Sequence, residues 1–266
     1  MLPEPVPEAA PGVASEKLDP SPGDPFIEPL PAPPREPFWT YTDLLLVLGL
    51  LVASLVVLVL GGGFLVAIYP TFRDDPTPLL LPFQVAVYGG LYLAFFVTLR
   101  ARYRQPVFVS LGWRRTHFNL AVAAVGGAIL AFVVSGLAWL LHTPQVPSPL
   151  DRFMNSPVNL VLIAILAVTI APLFEELFFR GFLQPLFSHT FGVAAGIFIT
   201  AVIFGSLHAP EYSWAWQYAV AVALVGIVLG WIRARSGSII PSTLMHASYN
   251  SVFVIALLVS KHAKHP

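Results

Sequence analysis

Two adjacent glutamates stand inside an apolar stretch of this sequence. Glu175 and Glu176 lie within residues 171–180, where most of the neighbouring side chains are hydrophobic. Of the fourteen acidic residues, seven fall in the first 36 positions, and five others lie where loops or the ends of apolar segments are expected: Asp43, Asp74, Asp75, Asp151 and Glu211. A charged side chain at membrane depth costs at least about 2.5 kcal/mol, so the glutamate pair is a candidate functional site.

Two further polar groups follow the glutamates in apolar sequence. Phe204 precedes His208 by four residues, and His246 precedes Asn250 by the same spacing, which places each pair on one face of a helix. Glu176 and Arg180 are also four residues apart, so they can form an ion pair. Because successive helical residues are rotated by about 100°, we expect the two glutamates to point to different neighbours, one held by Arg180 and one facing a cavity.

These groups together could catalyse hydrolysis. A carboxylate in a low-dielectric site can act as a general base, and a nearby imidazole can share the proton of the attacking water. The amide of Asn250 could donate a hydrogen bond to a developing oxyanion. A zinc centre is the alternative, because one glutamate and two histidines are a common ligand set, here Glu175, His208 and His246.

Each group also has a structural interpretation. Glu176 and Arg180 could be an ion pair that fixes helix packing, and either histidine could be a hydrogen-bonded residue of a helical bundle. Asn250 could bond two helices together. A structural role explains any one of these residues well. It explains less well why four polar sites occur together on three apolar segments.

The composition is that of an integral membrane protein. Of the 266 residues, 56% are hydrophobic and 11% are charged, whereas a soluble domain carries about 25% charged residues. The net charge is zero, so nothing indicates a nucleic-acid partner. The absence of cysteine excludes disulfides, thiolate metal ligands and a cysteine nucleophile.

The apolar segments predict an all-α polytopic membrane protein with a bundle of about seven transmembrane helices. Each is long enough to cross the roughly 30 Å hydrocarbon core, and Pro172 and Pro241 are expected to start or kink helices. The predicted spans are 44–69, 79–99, 120–141, 158–186, 191–207, 214–232 and 239–259. Residues 38–260 therefore form the bundle, whereas residues 1–37, with 12 of the 26 prolines, are predicted to be a disordered acidic tail.

Basic residues in short loops predict the orientation. Two loops carry them, on the same side of a seven-span bundle: Arg100, Arg102, Arg104, Arg114 and Arg115, then Arg233 and Arg235. We assign this side to the cytoplasm, which also makes the N-terminus cytoplasmic and the C-terminus external, unless one short segment is re-entrant. The compact chain and its basic loop favour a bacterial cytoplasmic (inner) membrane.

The polar residues resemble a known set of motifs. They match in order the three motifs of the CAAX prenyl protease and bacteriocin-processing (CPBP) family of intramembrane proteases: Glu175, Glu176 and Arg180; Phe204 and His208; His246 and Asn250. The resemblance covers about residues 155–255, which would be the protease core. It implies a helical bundle with an intramembrane active-site cavity that opens toward the cytoplasm.

The same resemblance implies a role for each residue. Water activated between Glu175 and His208 would hydrolyse a peptide bond, and His246 with Asn250 would bind the oxyanion. The remaining motif residues would orient the site: Glu176, Arg180 and Phe204. Members of the family have been described both as metalloproteases and as metal-free glutamate proteases, so Zn²⁺ at Glu175, His208 and His246 stays open.

The expected partners are the lipid bilayer and a membrane-associated peptide or protein substrate. A non-catalytic membrane scaffold, or a self-immunity protein against a peptide toxin, is the alternative function within the same family. A transporter is disfavoured, because no internal repeat is evident in the sequence.

Overall fold

A computed structural model describes residues 37–75, 77–144, 146 and 157–264. Within this part of the chain the regular structure is helical, and no strand occurs. The bundle lies in one compact unit, Arg35–Pro266. The predicted tail falls outside the described residues except for residue 37, as does Asp151, so the domain boundary at 37/38 stays a prediction.

Seven helices in the described residues are long and apolar enough to cross a membrane. These spans, numbered one to seven in chain order, are Tyr41–Ile68, Thr77–Arg102, Leu120–Leu140, Val158–Phe191, Val193–Tyr212, Trp216–Ser236 and Ile239–Ser260. Each predicted segment overlaps one of them, so the all-α polytopic fold is confirmed. The protein is a multi-pass integral membrane protein.

The α-helices of the described residues are numbered in chain order. They are α1 Tyr41–Ile68, α2 Pro70–Asp74, α3 Thr77–Phe95, α4 Val107–Ser110, α5 Leu120–Leu140, α6 Pro157–Ile165, α7 Ala171–Glu176, α8 Gln184–Phe191, α9 Val193–His208, α10 Trp216–Ser236 and α11 Ile239–Lys264. Some spans contain wider π-helical turns, at Phe96–Arg102, Leu166–Ile170 and Leu177–Leu183, and span five ends in the 3₁₀ turn Ala209–Tyr212.

Span four is the least regular of the seven. Its π-helical turns Leu166–Ile170 and Leu177–Leu183 flank the short helix α7, and each turn is followed closely by a proline, Pro172 or Pro185. A proline ring clashes with the carbonyl four residues earlier and removes a hydrogen-bond donor, so a wider turn accommodates it. The two glutamates therefore lie at the end of α7, between two local distortions. Pro241 instead lies at the start of α11, where a missing donor costs little.

Small residues bring the later helices close together. A Cβ atom on Gly205 of α9 would collide with the Ala219 carbonyl and Ala223 of α10, and one on Gly127 of α5 would collide with Met245 of α11. Glycine at such crossings allows backbones to approach within van der Waals distance. By contrast, α1 is peripheral and buries only Asp43 and Val47 in the bundle.

Asp43 ties the start of α1 to the end of span two. Its Oδ2 accepts hydrogen bonds from the Thr40 amide (2.9 Å), the Thr40 hydroxyl (3.1 Å) and the Tyr103 hydroxyl (2.7 Å). Arg102 lies 3.5 Å from Oδ1. The sequence places Asp43 correctly at a span end, but the side chain is fully buried there rather than solvated.

The chain that enters α1 is also anchored to span four. The Trp39 indole donates a hydrogen bond to the Phe182 carbonyl (3.1 Å), and the two rings stack at 5.5 Å with a 14° interplanar angle. Phe182 lies in the π-helical turn Leu177–Leu183, just after the glutamate pair. This contact fixes the chain before α1 to span four.

Candidate active site

The predicted ion pair of Glu176 and Arg180 is present. Arg180 Nη1 lies 3.0 Å from Glu176 Oε1, and both side chains are fully buried. Arg180 Nη2 also donates to the Gly226 carbonyl on α10 (3.1 Å), and the guanidinium lies 4.4 Å from the centre of the Phe204 ring. The arginine thus neutralises the buried carboxylate and joins span four to α9 and α10.

A second contact repeats this arrangement one helical turn further along. Gln184 Nε2 donates to the Gly230 carbonyl (2.9 Å), four residues after each member of the Arg180–Gly226 pair. A Cβ atom on Gly230 would lie 3.0 Å from Gln184 Oε1 and from Ile197. No role was predicted from the sequence for Gln184, Gly226 or Gly230. The sequence feature that could have indicated these contacts is the shared four-residue spacing of Arg180 and Gln184 on span four and of Gly226 and Gly230 on span six.

His246 lies between the two glutamates. Its Nδ1 is 3.2 Å from Glu176 Oε1, and its Nε2 is 3.7 Å from Glu175 Oε2. As expected, only Glu176 is held by Arg180, but the expectation of entirely different neighbours is wrong, because both carboxylates share His246. An imidazole has nitrogens on two edges of its ring, so one histidine accommodates carboxylates that leave α7 in different directions.

Phe204 packs between the histidines. Its ring is almost completely buried and lies edge-on to His208 (4.5 Å between centroids), His246 (5.9 Å) and Phe179 (4.9 Å). One aromatic ring thereby sets the positions of both imidazoles and of the Arg180 guanidinium. This contact explains why a phenylalanine at this position suits a polar site.

His208 and Asn250 are each held by one backbone carbonyl. His208 Nδ1 lies 2.8 Å from the Phe204 carbonyl, to which it can only donate, so Nε2 remains for another partner. Asn250 Nδ2 donates to the Ala167 carbonyl (2.8 Å) in the π-helical turn Leu166–Ile170, which leaves its second N–H. Glu175 is the more accessible of the two glutamates, with 22% of its side chain exposed.

Glu211 is a further carboxylate near the site. It lies three residues after His208, in the 3₁₀ turn that ends span five, and interacts electrostatically with both His208 and Glu175. Glu211 was predicted to lie at a span end, without a functional role. Because residues three apart eclipse one another in a 3₁₀ helix, its proximity to His208 follows once the turn type is known.

The histidines and glutamates do not form a recognisable metal centre. In the described part of the chain, no three His, Asp or Glu side chains are grouped so that they could hold a metal ion. His246 Nδ1 is already paired with Glu176, and only Nε2 faces Glu175. A histidine whose Nδ1 is held by a carboxylate can still bind a metal through Nε2, so zinc at Glu175, His208 and His246 stays a prediction.

The comparison with protein families agrees with the motifs. Residues 157–252 match the model of the Rce1-like family, described as type II CAAX prenyl endopeptidase Rce1-like. The match covers spans four to six and the first part of span seven, and this part of the chain is similar to the CAAX-type proteases that its motifs resemble. No curated protein and no solved structure matches the chain significantly.

Proposed function

We propose that this protein is an intramembrane endopeptidase that hydrolyses a peptide bond of a membrane-associated protein or peptide. The observation that carries the proposal is the convergence of the three polar motifs on one buried cluster. His246 contacts both glutamates, and Phe204 contacts both histidines. Three separate helices, α7, α9 and α11, supply these residues, which a simple ion pair would not require.

The proposed reaction starts at Glu175. Its carboxylate takes a proton from a water molecule, whose oxygen then attacks the carbonyl carbon of the substrate. His208 Nε2 is the second group that we propose to orient this water, because Nδ1 is occupied by the Phe204 carbonyl. The accepted proton passes to the leaving amine nitrogen as the carbon–nitrogen bond breaks, so that an acid and an amine are released.

We propose that His246 and Asn250 stabilise the tetrahedral intermediate. In its doubly protonated form His246 can donate from Nε2, and Asn250 keeps one N–H beyond its bond to Ala167. Donors that are already fixed by other contacts stabilise a developing oxyanion without reorganisation. Glu176 and Arg180 hold His246 in position and do not react.

This mechanism has no metal step. Zinc dependence remains a prediction from the resemblance, and it is tested by metal analysis of the purified protein together with chelator treatment and zinc add-back. Activity that survives complete removal of metal supports the proposed mechanism. Activity that is lost with the metal and restored by zinc would contradict it.

The substrate and the function are tested together in cells. Membranes from cells that carry the wild type, Glu175→Gln or Asp74→Asn are compared by quantitative proteomics. Loss of a general base lowers the rate by about 10²–10⁴-fold, so uncleaved substrate should accumulate with Glu175→Gln. Asp74 is the last residue of α2 and lies outside the spans, so Asp74→Asn is a control that removes one carboxylate away from the site.

Two results would separate the proposal from a non-catalytic role. Glu175→Gln protein that is present in normal amount, yet leaves a full-length substrate uncleaved, supports the protease. If the same variant restores wild-type behaviour to a deletion strain and changes the abundance of no membrane protein, the scaffold or self-immunity function is correct instead.

A further inference from the structure

A groove of about 340 Å³ opens on the surface where span two ends. Tyr92, Phe96 and Arg100 line it from the span, and Pro106 with the residues of α4 lines it from the other side. A sharp reversal of the chain produces this shape. Arg104 adopts a left-handed conformation (φ 58°), and the Gln105 amide donates to the Leu99 carbonyl (2.9 Å), so α4 returns against the span.

The walls of the groove are aromatic and exposed. The exposed rings are those of Tyr92, Phe96 and Phe108, and the centroids of Tyr92 and Phe108 are 6.1 Å apart. Phe96 and Phe108 lie near the end of span two, where such rings meet the boundary between acyl chains and headgroups, whereas Tyr92 lies ten residues before that end, deeper among the acyl chains. In a bilayer the groove is therefore in contact with lipid, and its chemistry decides which lipid is preferred.

Arg100 makes the rim of the groove cationic. Its Nη1 donates to the Arg104 carbonyl (3.2 Å), which fixes the guanidinium while leaving four of its five N–H donors. Within residues 37–75, 77–144, 146 and 157–264, Arg100 has no acidic partner. Among the described residues, Asp43 also lies at this end of the bundle, but it is fully buried and lies beside Arg102 instead.

We propose that this groove binds one anionic phospholipid of the surrounding bilayer. The lipid phosphate contacts the Arg100 guanidinium, and the first part of an acyl chain lies against Tyr92, Phe96 and Phe108. Planar guanidinium groups bind phosphate oxygens through paired hydrogen bonds, and the bilayer supplies the ligand at the required depth. The site is separate from the glutamates and does not depend on the proposed protease activity.

Native mass spectrometry of the detergent-solubilised full chain tests this site. Phosphatidylglycerol and phosphatidylcholine with the same acyl chains are added separately to the wild type, Arg100→Gln, Arg100→Lys and Arg115→Gln. The wild type should retain one phosphatidylglycerol in preference to phosphatidylcholine. Arg100→Gln should lower that retention about tenfold, since a hydrogen bond to a charged group is lost. Arg100→Lys should restore part of it.

Arg115→Gln is the matched control, because it removes one exposed arginine of the same loop that does not line the groove. It should retain phosphatidylglycerol within about twofold of the wild type, since a single surface charge contributes weakly. Equal losses in Arg100→Gln and Arg115→Gln would mean diffuse surface charge and would overturn the site. Equal retention of both lipids by the wild type, or displacement of the lipid by inorganic phosphate alone, would overturn it as well.

Discussion

Asp43 and Glu176 are both fully buried carboxylates beside an arginine, yet their surroundings differ. Asp43 accepts bonds from Thr40 and Tyr103, whose contacts within the described residues reach no histidine and no second carboxylate, and its arginine is 49% exposed. Glu176 is bonded to His246, whose other nitrogen faces the partly exposed Glu175. A buried ion pair alone is thus no sign of catalysis. The informative feature is a partner that connects the buried charge to an accessible one.

The two arginines should also differ in their contribution to stability. Arg180 is buried, donates a hydrogen bond to α10 and packs on Phe204, whereas about half of the Arg102 side chain is exposed. Removing one member of a buried pair leaves an uncompensated charge, which costs far more than losing an exposed partner. The following variants test this difference, from the largest expected effect to the smallest.

Arg180→Met should destabilise the protein by about 3–5 kcal/mol, because Glu176 then stays buried without its arginine counter-charge. The measurement is the free energy of unfolding in mixed detergent and sodium dodecyl sulfate micelles, followed by circular dichroism. The double variant Glu176→Leu with Arg180→Met removes both charges and should recover much of that loss while remaining inactive. A double variant no more stable than Arg180→Met would contradict the charge explanation.

Gly230→Ala should destabilise the same region by about 1–3 kcal/mol, because the new methyl group would lie 3.0 Å from Gln184 and from Ile197. Gly136→Ala is the control, since nothing lies within 4 Å of its Cβ position. Alanine there should be neutral or stabilise the helix by up to about 1 kcal/mol. Both are measured by the same unfolding assay. Equal effects would mean that helix propensity, and not the contact with Gln184, determines the result.

Tyr103→Phe tests the Asp43 side and should cost about 1 kcal/mol through loss of the 2.7 Å hydrogen bond. That bond to Asp43 raises the pKa of Tyr103 above its ordinary value of 10.0. Because the folded-state pKa is the higher one, the stabilisation is complete at pH values below about 10 and is lost as the pH rises through the folded-state pKa. Unfolding free energies of the wild type and the variant should therefore converge in strongly alkaline buffer. A constant difference across the range would contradict this assignment.

Arg102→Met should have the smallest effect, less than about 1 kcal/mol, because the pair is long at 3.5 Å and its arginine is half exposed. Proteolytic activity should be unchanged. A loss comparable to that of Arg180→Met would show that the two buried carboxylates depend on their arginines equally, and the distinction drawn above would be wrong.

The sequence was sufficient to predict the membrane spans and the ion pair between Glu176 and Arg180. Long apolar runs are governed by the thickness of the bilayer, and the Glu176–Arg180 pair depends only on helical spacing within one span. The site beyond this pair depends on where different spans meet. The position of His246 between both glutamates required the distorted turns of span four, and the bonds from Arg180 and Gln184 required the register of α10. Hydrophobicity alone carries no information on either feature.

The pairing of Glu176 with an arginine of its own span has a consequence for biosynthesis. The fourth span enters the membrane with its counter-charge already four residues away, so insertion does not have to wait for another helix. His246 is made 70 residues after Glu176, which at about 5–20 residues per second is about 4–14 s later. A growing chain therefore holds a neutralised but incomplete centre until its last span is inserted. The proposed protease thus gains its full set of site residues only after span seven has been made.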